Sequence, residues 1–475
     1  MFVPNILFDR LDALESEALR RMVERLAAKR ARHRVRAHYY DAQNQLRDLR
    51  VALPPALVHA IEPVLGWPAK AVDALERRTR LEGFTLPGGS ASDYGIDEIW
   101  RENRLEVEAP MIHTSTLIHS VSFVAVSAGD ASLGEPAAVV STYDATQATG
   151  LWRPSSRDLG AALLVSRWDD EGECRFFVVF PHRVFEAWRE KNGPWQVRES
   201  VNPYGRVPVE PIVYRPRISR PFGSSRISRP IMSITDSAMR TMARAEVNAE
   251  FFSAPQRYLL GADESMFVGA NGEHKSSWDL LIGRLLAVPD GDLGAADRVE
   301  VGQFPQINMQ PHTDQMRMWA QLFQAESGIA AESLGVGGSQ SNPSSAEAIY
   351  AGEKDLVIEA EATCAGFGPS WERVAQWAAM VANGDTMLPD GLRALSARWR
   401  DPSTPSRAAA VDAVLKLTQG QNPIIPANSR VALEMAGFSN ADVERVIADR
   451  ARVTDIVAAL RGTDNGVDDG GIEAN

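Results

Sequence analysis

Residue types able to do chemistry are scattered along this chain rather than gathered into a constellation. There is no GxxxxGKS/T loop to cradle phosphates, no GxSxG turn to raise a serine nucleophile, and no HExxH pair to hold zinc. Gly335-Val336-Gly337 is glycine-rich, but no strand feeds it and no dinucleotide fingerprint follows. His113 and His119 are six apart, which on a helix sets them about 240° apart around the axis, so they share no face. Ordinary surface or interface positions are expected for both. Asp169 and Asp170 fall in a turn, where adjacent carboxylates face solvent rather than a metal. Cys174 and Cys364 are isolated, which supports neither a disulfide framework nor a zinc site. Eleven tryptophans could stack on bases or sugars, but Trp319, Trp371 and Trp377 lie in amphipathic helical patterns and are expected in the core or an interface. Nucleotide hydrolysis by the usual machinery is excluded, and no catalytic residue, metal or cofactor is expected. The chain reads as a scaffold.

Hydrophobic periodicity gives the elements that would position these residues. Leu7, Leu11, Leu14, Ala18, Met22 and Leu26 recur at three- and four-residue spacings, which predicts a helix over 6–32. Its distal part is basic, with Arg20, Arg21, Arg25, Lys29, Arg30, Arg32, Arg34 and Arg36 opposed only by Glu24. Such a run is either a solvated helix face or a surface for an anionic partner. Trp67-Pro68 opens another helix that closes before Gly83, and further helices are expected over 96–103 and 108–119. From Val121 the period shortens to that of a strand. Segments 122–127, 137–142, 163–168, 175–180, 195–199 and 209–214 read as strands between turn-rich pieces such as Asn202-Pro203-Tyr204-Gly205. A β-rich subdomain is therefore set between helical regions, an α+β plan.

The loop from Tyr214 to Pro230 carries Arg215, Arg217, Arg220, Arg226 and Arg229 and no acid. These are expected to pair with acidic groups of the same or a neighbouring subunit rather than with DNA. A helix over 233–252 follows, with Ser233 as its N-cap and Asp236 at the positive end of its dipole. Ala238, Met242, Ala245, Ala249 and Phe252 form a mostly alanine seam on it, where a second helix could approach closely. Residues 256–306 are mixed, and another helix runs from about Pro311 to Gly328. Gly335, Val336, Gly337, Gly338, Ser339, Gln340, Ser341 and Asn342 make a low-complexity loop, flexible by composition. Ser344 and Glu347 form a capping box that launches a long helix, in which Gly366, Gly368 and Pro369 predict a kink. Asp401-Pro402-Ser403-Thr404-Pro405 is the clearest linker, a small helical module follows it, and the acidic tail from Gly462 is expected to be disordered.

At 475 residues the chain can hold two or three domains. Hydrophobic content of 44% and charged content of 24% are ordinary for a globular protein. No run approaches the ~18 apolar residues of a membrane span, and the N-terminal pattern is not that of a secretory signal. Net charge is −12. A tight grip on phosphates normally needs a basic excess, so a DNA partner would be handled loosely.

Several segments, in collinear order, resemble the portal proteins (head–tail connectors) of tailed double-stranded-DNA bacteriophages, in the siphophage branch. They are Trp67-Pro68 through Leu81-Glu82-Gly83-Phe84, then Ile99-Trp100-Arg101-Glu102-Asn103, then Ser224-Ser225-Arg226-Ile227. Ala249-Glu250-Phe251-Phe252-Ser253-Ala254-Pro255, Glu326-Ser327-Gly328-Ile329 and Asn342-Pro343-Ser344-Ser345-Ala346-Glu347 complete the series. The resemblance implies a ring of subunits, typically twelve, at the capsid portal vertex of a virion assembled in the host cytoplasm. By position, residues 1–230 would form a wing, 231–255 and 307–330 the two stem helices, and 256–306 a clip between them. Residues 331–343 would be a tunnel loop facing DNA, 344–400 a long kinked wing helix, 405–460 a helical crown and 461–475 a disordered tail. The implied partners are further copies of the chain, double-stranded DNA in the channel, terminase, a head–tail adaptor, and the major capsid and scaffolding proteins. No membrane or cofactor is implied. The loop departs from the family pattern in being short and without a basic residue. Another phage head or minor capsid protein, and a non-viral α+β enzyme with an unrecognised site, are the alternative readings.

Overall fold

The computed structural model describes residues 4–45, 62–87, 91–168, 173–191, 193–252, 257–260, 300–303, 308–336, 346–403, 407–419, 423–438, 442–443 and 445–453. The expected N-terminal helix is two helices, α1 (Asn5–Phe8) and α2 (Ala13–Tyr40). The break has a local cause. Asp12 accepts from the Glu15 N–H at 2.8 Å, and the Glu15 side chain accepts from the Asp12 N–H at 3.1 Å, a capping box that starts a new helix. Helix α3 (Trp67–Glu76) leads to strand β1 (Leu81–Thr85), and α4 (Ile96–Glu102) and α5 (Leu105–His119) follow.

Eight strands come next: β2 (Val121–Ala128), β3 (Ala138–Asp144), β4 (Ala148–Arg153), β5 (Asp158–Trp168), β6 (Cys174–Val179), β7 (Arg183–Arg189), β8 (Gln196–Val201) and β9 (Val209–Val213). They make a three-stranded sheet ordered β3-β2-β9 and a five-stranded antiparallel meander β4-β5-β6-β7-β8. Strands β4 and β7 were not expected from sequence. Each is short and broken by charge or glycine, so its strand character comes from its neighbours' hydrogen bonds rather than from its own pattern. Strand β5 shows why the meander sits mid-protein. Ala161, Leu163 and Val165 face α1 and α2 through Leu7, Leu19 and Met22, while Ala162 and Leu164 face Val121, Phe123 and Val209 of the other sheet. Burial on both faces explains its unbroken apolar run.

Helix α6 (Arg229–Phe252) is followed by β10 (Arg257–Leu260), which pairs antiparallel with β11 (Glu300–Gln303). Helix α7 (Gln310–Ser327) and the long helix α8 (Ala346–Asn383) come next. Strand β12 (Ser396–Trp399) returns to pair with β1, and α9 (Arg407–Thr418) and α10 (Arg430–Met435) close the described chain, with further helical residues at 445–453. The main core joins α3, α5, β2, α7 and α8 around Trp67, Leu75, Leu117, Phe323, Phe367 and Trp371. The architecture is α+β, as expected.

Three expectations need correction. Helix α6 begins at Arg229 rather than near Ser233, because Pro230 in its first turn loses no hydrogen bond there and already has a helical φ. Ser233 is therefore an exposed residue inside the helix, and the Ser228 hydroxyl accepts from the Ile231 N–H at the helix start. Helix α8 runs without interruption through Gly366, Gly368 and Pro369. Phe367, Trp371 and Val374 are fully buried on that stretch, and their packing outweighs the ~3 kcal/mol that an interior proline costs. Finally, His113 and His119 are buried, not superficial, because α5 is packed between α2, α3 and the β2–β9 pair.

Candidate functional site

Helices α6 and α7 form an antiparallel pair. The Trp319 indole N–H donates to Thr241 Oγ1 at 3.1 Å, Thr241 also meets Gln315 at 3.1 Å, and Asn248 meets His312 at 2.6 Å. The face that α6 turns toward its own chain is made by Ile231, Thr235, Ala238, Met239, Ala243 and Val247, all buried. The alanine seam read from the sequence is thus divided. Ala238 belongs to this internal face, Met242 and Ala245 are half-buried, and Ala249 is exposed. The side chain of Phe252 lies outside the described residues. On α7, Met318 and Leu322 are exposed, 42% and 45%, as is Ile358 on α8. Half-buried Met242 and Ala245 with exposed Ala249 on α6, and exposed Met318 and Leu322 on α7, are therefore left wholly or partly uncovered among the described residues of one chain.

Helix α7 ends where Gly328 takes a φ of +69° and its N–H reaches the Gln324 carbonyl. A 3-10 turn, Ala331–Leu334, follows, and Gly335 closes it with a φ of +79°. Val336 packs against the main core, so the first two residues of the glycine-rich loop are held by the body of the protein. Gly337, Gly338, Ser339, Gln340, Ser341 and Asn342 lie outside the described residues, as do Ser344 and Asp169-Asp170.

The arginine loop splits into two groups. Arg226 is buried and acts as a hub. Its guanidinium pairs with Glu359 at 2.6 Å and donates to the Ser327 carbonyl at 2.7 Å, to the Ala71 carbonyl and to Tyr214 Oη at 3.2 Å. One planar fork thereby joins α3, the end of α7 and the middle of α8, which are the two helices flanking the glycine-rich loop. Arg215 meets the same carboxylate at 2.6 Å, and the Tyr214 hydroxyl donates to it. Burial, with Glu359 beside it, pushes the Tyr214 phenol up to about 12 against the pull of Arg226, so it stays a donor. The loop can pass over this hub only because of Gly223. Its φ is +66°, and a Cβ there would lie 2.1 Å from the Tyr214 carbonyl oxygen. Arg217, Arg220 and Arg229 are exposed and make no ion pair among the described residues.

Two further buried polar contacts went unread in the sequence. Glu210, 2% exposed on β9, meets Arg373 at 2.7 Å and accepts from the Trp377 indole at 3.1 Å. Burial raises its carboxyl above the ordinary range while Arg373 opposes the rise. His113 accepts from the Trp371 indole N–H at 2.8 Å, which puts its own proton on Nδ1. Burial lowers it to about 3. Each joins residues more than 150 positions apart, so no local motif could have announced it. These groups are all committed to holding elements together. Among the described residues the arrangement fixes a helix pair, a loop anchor and a sheet body relative to one another.

The profile of the family described as "Phage portal protein, SPP1 Gp6-like" matches residues 29–430. The portal protein of Mycobacterium phage L5 is 29% identical over 415 residues, covering 86% of this chain and 82% of that protein. The portal protein of Mycobacterium phage D29 is 29% identical over 417 residues, covering 86% and 83%. Among solved structures, a chain from the neck of a native GTA particle, computed with C12 symmetry, aligns over 85% of this chain and 97% of its own length, at a TM-score of 0.44 and 11% identity. With the family matched over most of its length, the chain belongs to the phage portal proteins of the SPP1 Gp6-like family.

Proposed function

We propose that this chain works as a structural conduit. Copies assemble into a ring, of twelve subunits in this reading, at one vertex of the capsid, and double-stranded DNA enters and leaves through the channel. The carrying observation is the family match over residues 29–430, and the partly uncovered faces of α6 and α7 are consistent with it, since a closed ring needs unlike faces that meet between neighbours. In this reading α6 and α7 are the stem, and residues 256–306, which include β10 and β11, are the clip. Residues 331–343 are the tunnel loop, with Gly335 through Asn342 bordering the channel, 344–400 completes the wing and 405–460 is the crown. Terminase, a head–tail adaptor, and the major capsid and scaffolding proteins are the partners, and no catalytic step is assigned to the chain. The test is negative-stain microscopy of the purified protein. Rings with a central hole are expected, and monodisperse single subunits at capsid-assembly concentrations would sink the proposal.

A further inference from the structure

Helix α2 carries a row of cations that make no ion pair among the described residues, the acids nearest its ends being Glu24, three residues after Arg21, and Asp144, whose charge acts at His33 and His119. Arg21, Arg25, Lys29, Arg32 and Arg36 fall within an arc of about 80° along roughly 22 Å of helix. Arg220, from the arginine loop, comes close enough to add its charge to the field at Arg36. Arg25 donates to the Gly150 carbonyl at 2.6 Å and Arg36 to the His119 carbonyl at 3.4 Å, which fixes two of the row against the body. The Phe222 ring lies under Arg25 and Lys29, 5.6 and 5.9 Å from its centroid. Among the described residues none of these six cations forms an ion pair, although the chain holds 62 acids.

Crowding like charges at i,i+3 and i,i+4 spacings costs stability. The crowding bears on Arg36, which burial first, and then Arg32 and Arg220, lower to about 10. Lys29 is lowered as well, by desolvation and then by Arg25, Arg32 and Arg36. The chemistry that would relieve this is a run of closely spaced anions. Protein partners usually add bulky apolar or aromatic anchors at the centre of the contact. The other exposed residues on this stretch of α2 are Glu24, Ala27, Ala28, Arg30, Ala31, Arg34 and Val35, none of them aromatic and only Val35 a sizeable apolar side chain. A polar, strongly positive face without anchors is instead the character of a nucleic-acid interface.

We propose that the row Arg21–Arg25–Lys29–Arg32–Arg36, with Arg220, is a binding site for the phosphate backbone of nucleic acid, on the helix-and-sheet body and apart from the glycine-rich loop. Its length of roughly 22 Å spans about six base pairs of duplex. The site reads no sequence, since it offers charge and not base-edge contacts. It does not depend on ring formation, so it can fail while the ring reading stands.

The test is fluorescence anisotropy with a labelled DNA duplex of about 30 base pairs, between 50 and 200 mM KCl. Wild-type protein should bind, with affinity falling steeply as salt rises. Replacing Arg21, Lys29, Arg32 and Arg220 together by Gln should lower affinity at least about tenfold at the lowest salt. It should also flatten the log K against log salt slope by about three. A control with the same loss of charge, Arg393→Gln, Lys416→Gln, Arg445→Gln and Arg452→Gln, should change affinity less than about threefold. Melting temperature checks that the cluster variant folds, and relief of repulsion should leave it unchanged or raised. Equal weakening by both variants would reduce the row to diffuse charge and overturn the site. So would a cluster variant that binds DNA normally but no longer forms rings, because the row would then face carboxylates of another copy.

Discussion

At the scale of single residues, this protein spends its unusual chemistry on holding still. His113 is the clearest case, neutral and fixed by the Trp371 indole beneath Phe367 and Trp399. Its ordinary value of 6.5 is lowered to about 3 in the fold, so the unfolded chain takes up the proton first as pH falls. The stability it supports is complete above about pH 6.5 and is lost progressively toward pH 3. His33, lowered to about 4 by burial and then by His119, Arg36 and Lys29, acts in the same direction. His113→Gln keeps an acceptor for the indole but cannot titrate. The gap in melting temperature between wild type and this variant should be widest at pH 7 and should narrow by pH 4; a constant gap would mean that the imidazole does not titrate with unfolding. The Arg226 hub makes a second prediction. Arg226→Gln takes the buried guanidinium from half-buried Glu359, which keeps only exposed Arg215 and the Tyr214 hydroxyl, at a cost of about 3 kcal/mol in urea unfolding. Arg226→Lys should recover little of this, because an ammonium cannot reach three elements at once.

At the scale of elements, the partly uncovered faces of α6 and α7 invite a direct trial. Ala245→Arg would put a long cation where a neighbouring helix is proposed to lie, and light scattering after size exclusion should show small species in place of rings. Gly223→Ala should cost about 3 kcal/mol or more in chemical denaturation, since the new methyl overlaps the Tyr214 carbonyl. Helices were the most legible elements. The stop of α7 at Gly328 was readable because glycine has one physical reason to stand there, its positive φ. Strands β4 and β7 were not readable, since Ala148–Arg153 and Arg183–Arg189 lack alternation and owe their form to partners elsewhere. Leu81-Glu82-Gly83-Phe84 looked like the end of a helix but is strand β1, because its partner β12 arrives only after residue 395. The seam on α6 was half-legible. Periodicity marked the right helix, but only the tertiary packing of α7 decides that Ala238 faces inward and Ala249 outward.

At the scale of the whole molecule, the two ends of the glycine-rich loop are attached to the same core, through Val336 on one side and α8 with the Arg226 hub on the other. Shortening the loop should therefore leave the body intact. Deleting Gly337–Gln340 is expected to preserve rings and empty capsids while reducing the DNA packaged or retained, measured as genome content per particle. Loss of rings with normal filling of those that remain would make the loop a structural connector. The charge of −12 and the local row of cations on α2 are compatible at this scale. An acidic whole keeps nonspecific affinity low, and one concentrated patch can still hold a polyanion weakly and reversibly.

The pairing of β1 with β12 has a consequence in time. Thr85 and Ser396 stand 311 positions apart, yet they are neighbours in a two-stranded sheet. At roughly 5–20 residues per second on the ribosome, β1 waits on the order of 15–60 s for its partner to be made. During that interval α6 and α7 have already emerged with their apolar residues bare, while the body that they belong to is still open. Monomer folding and subunit association thus compete for the same nascent surface. The order in which they finish sets how much of the synthesised chain matures and how much is lost to aggregation.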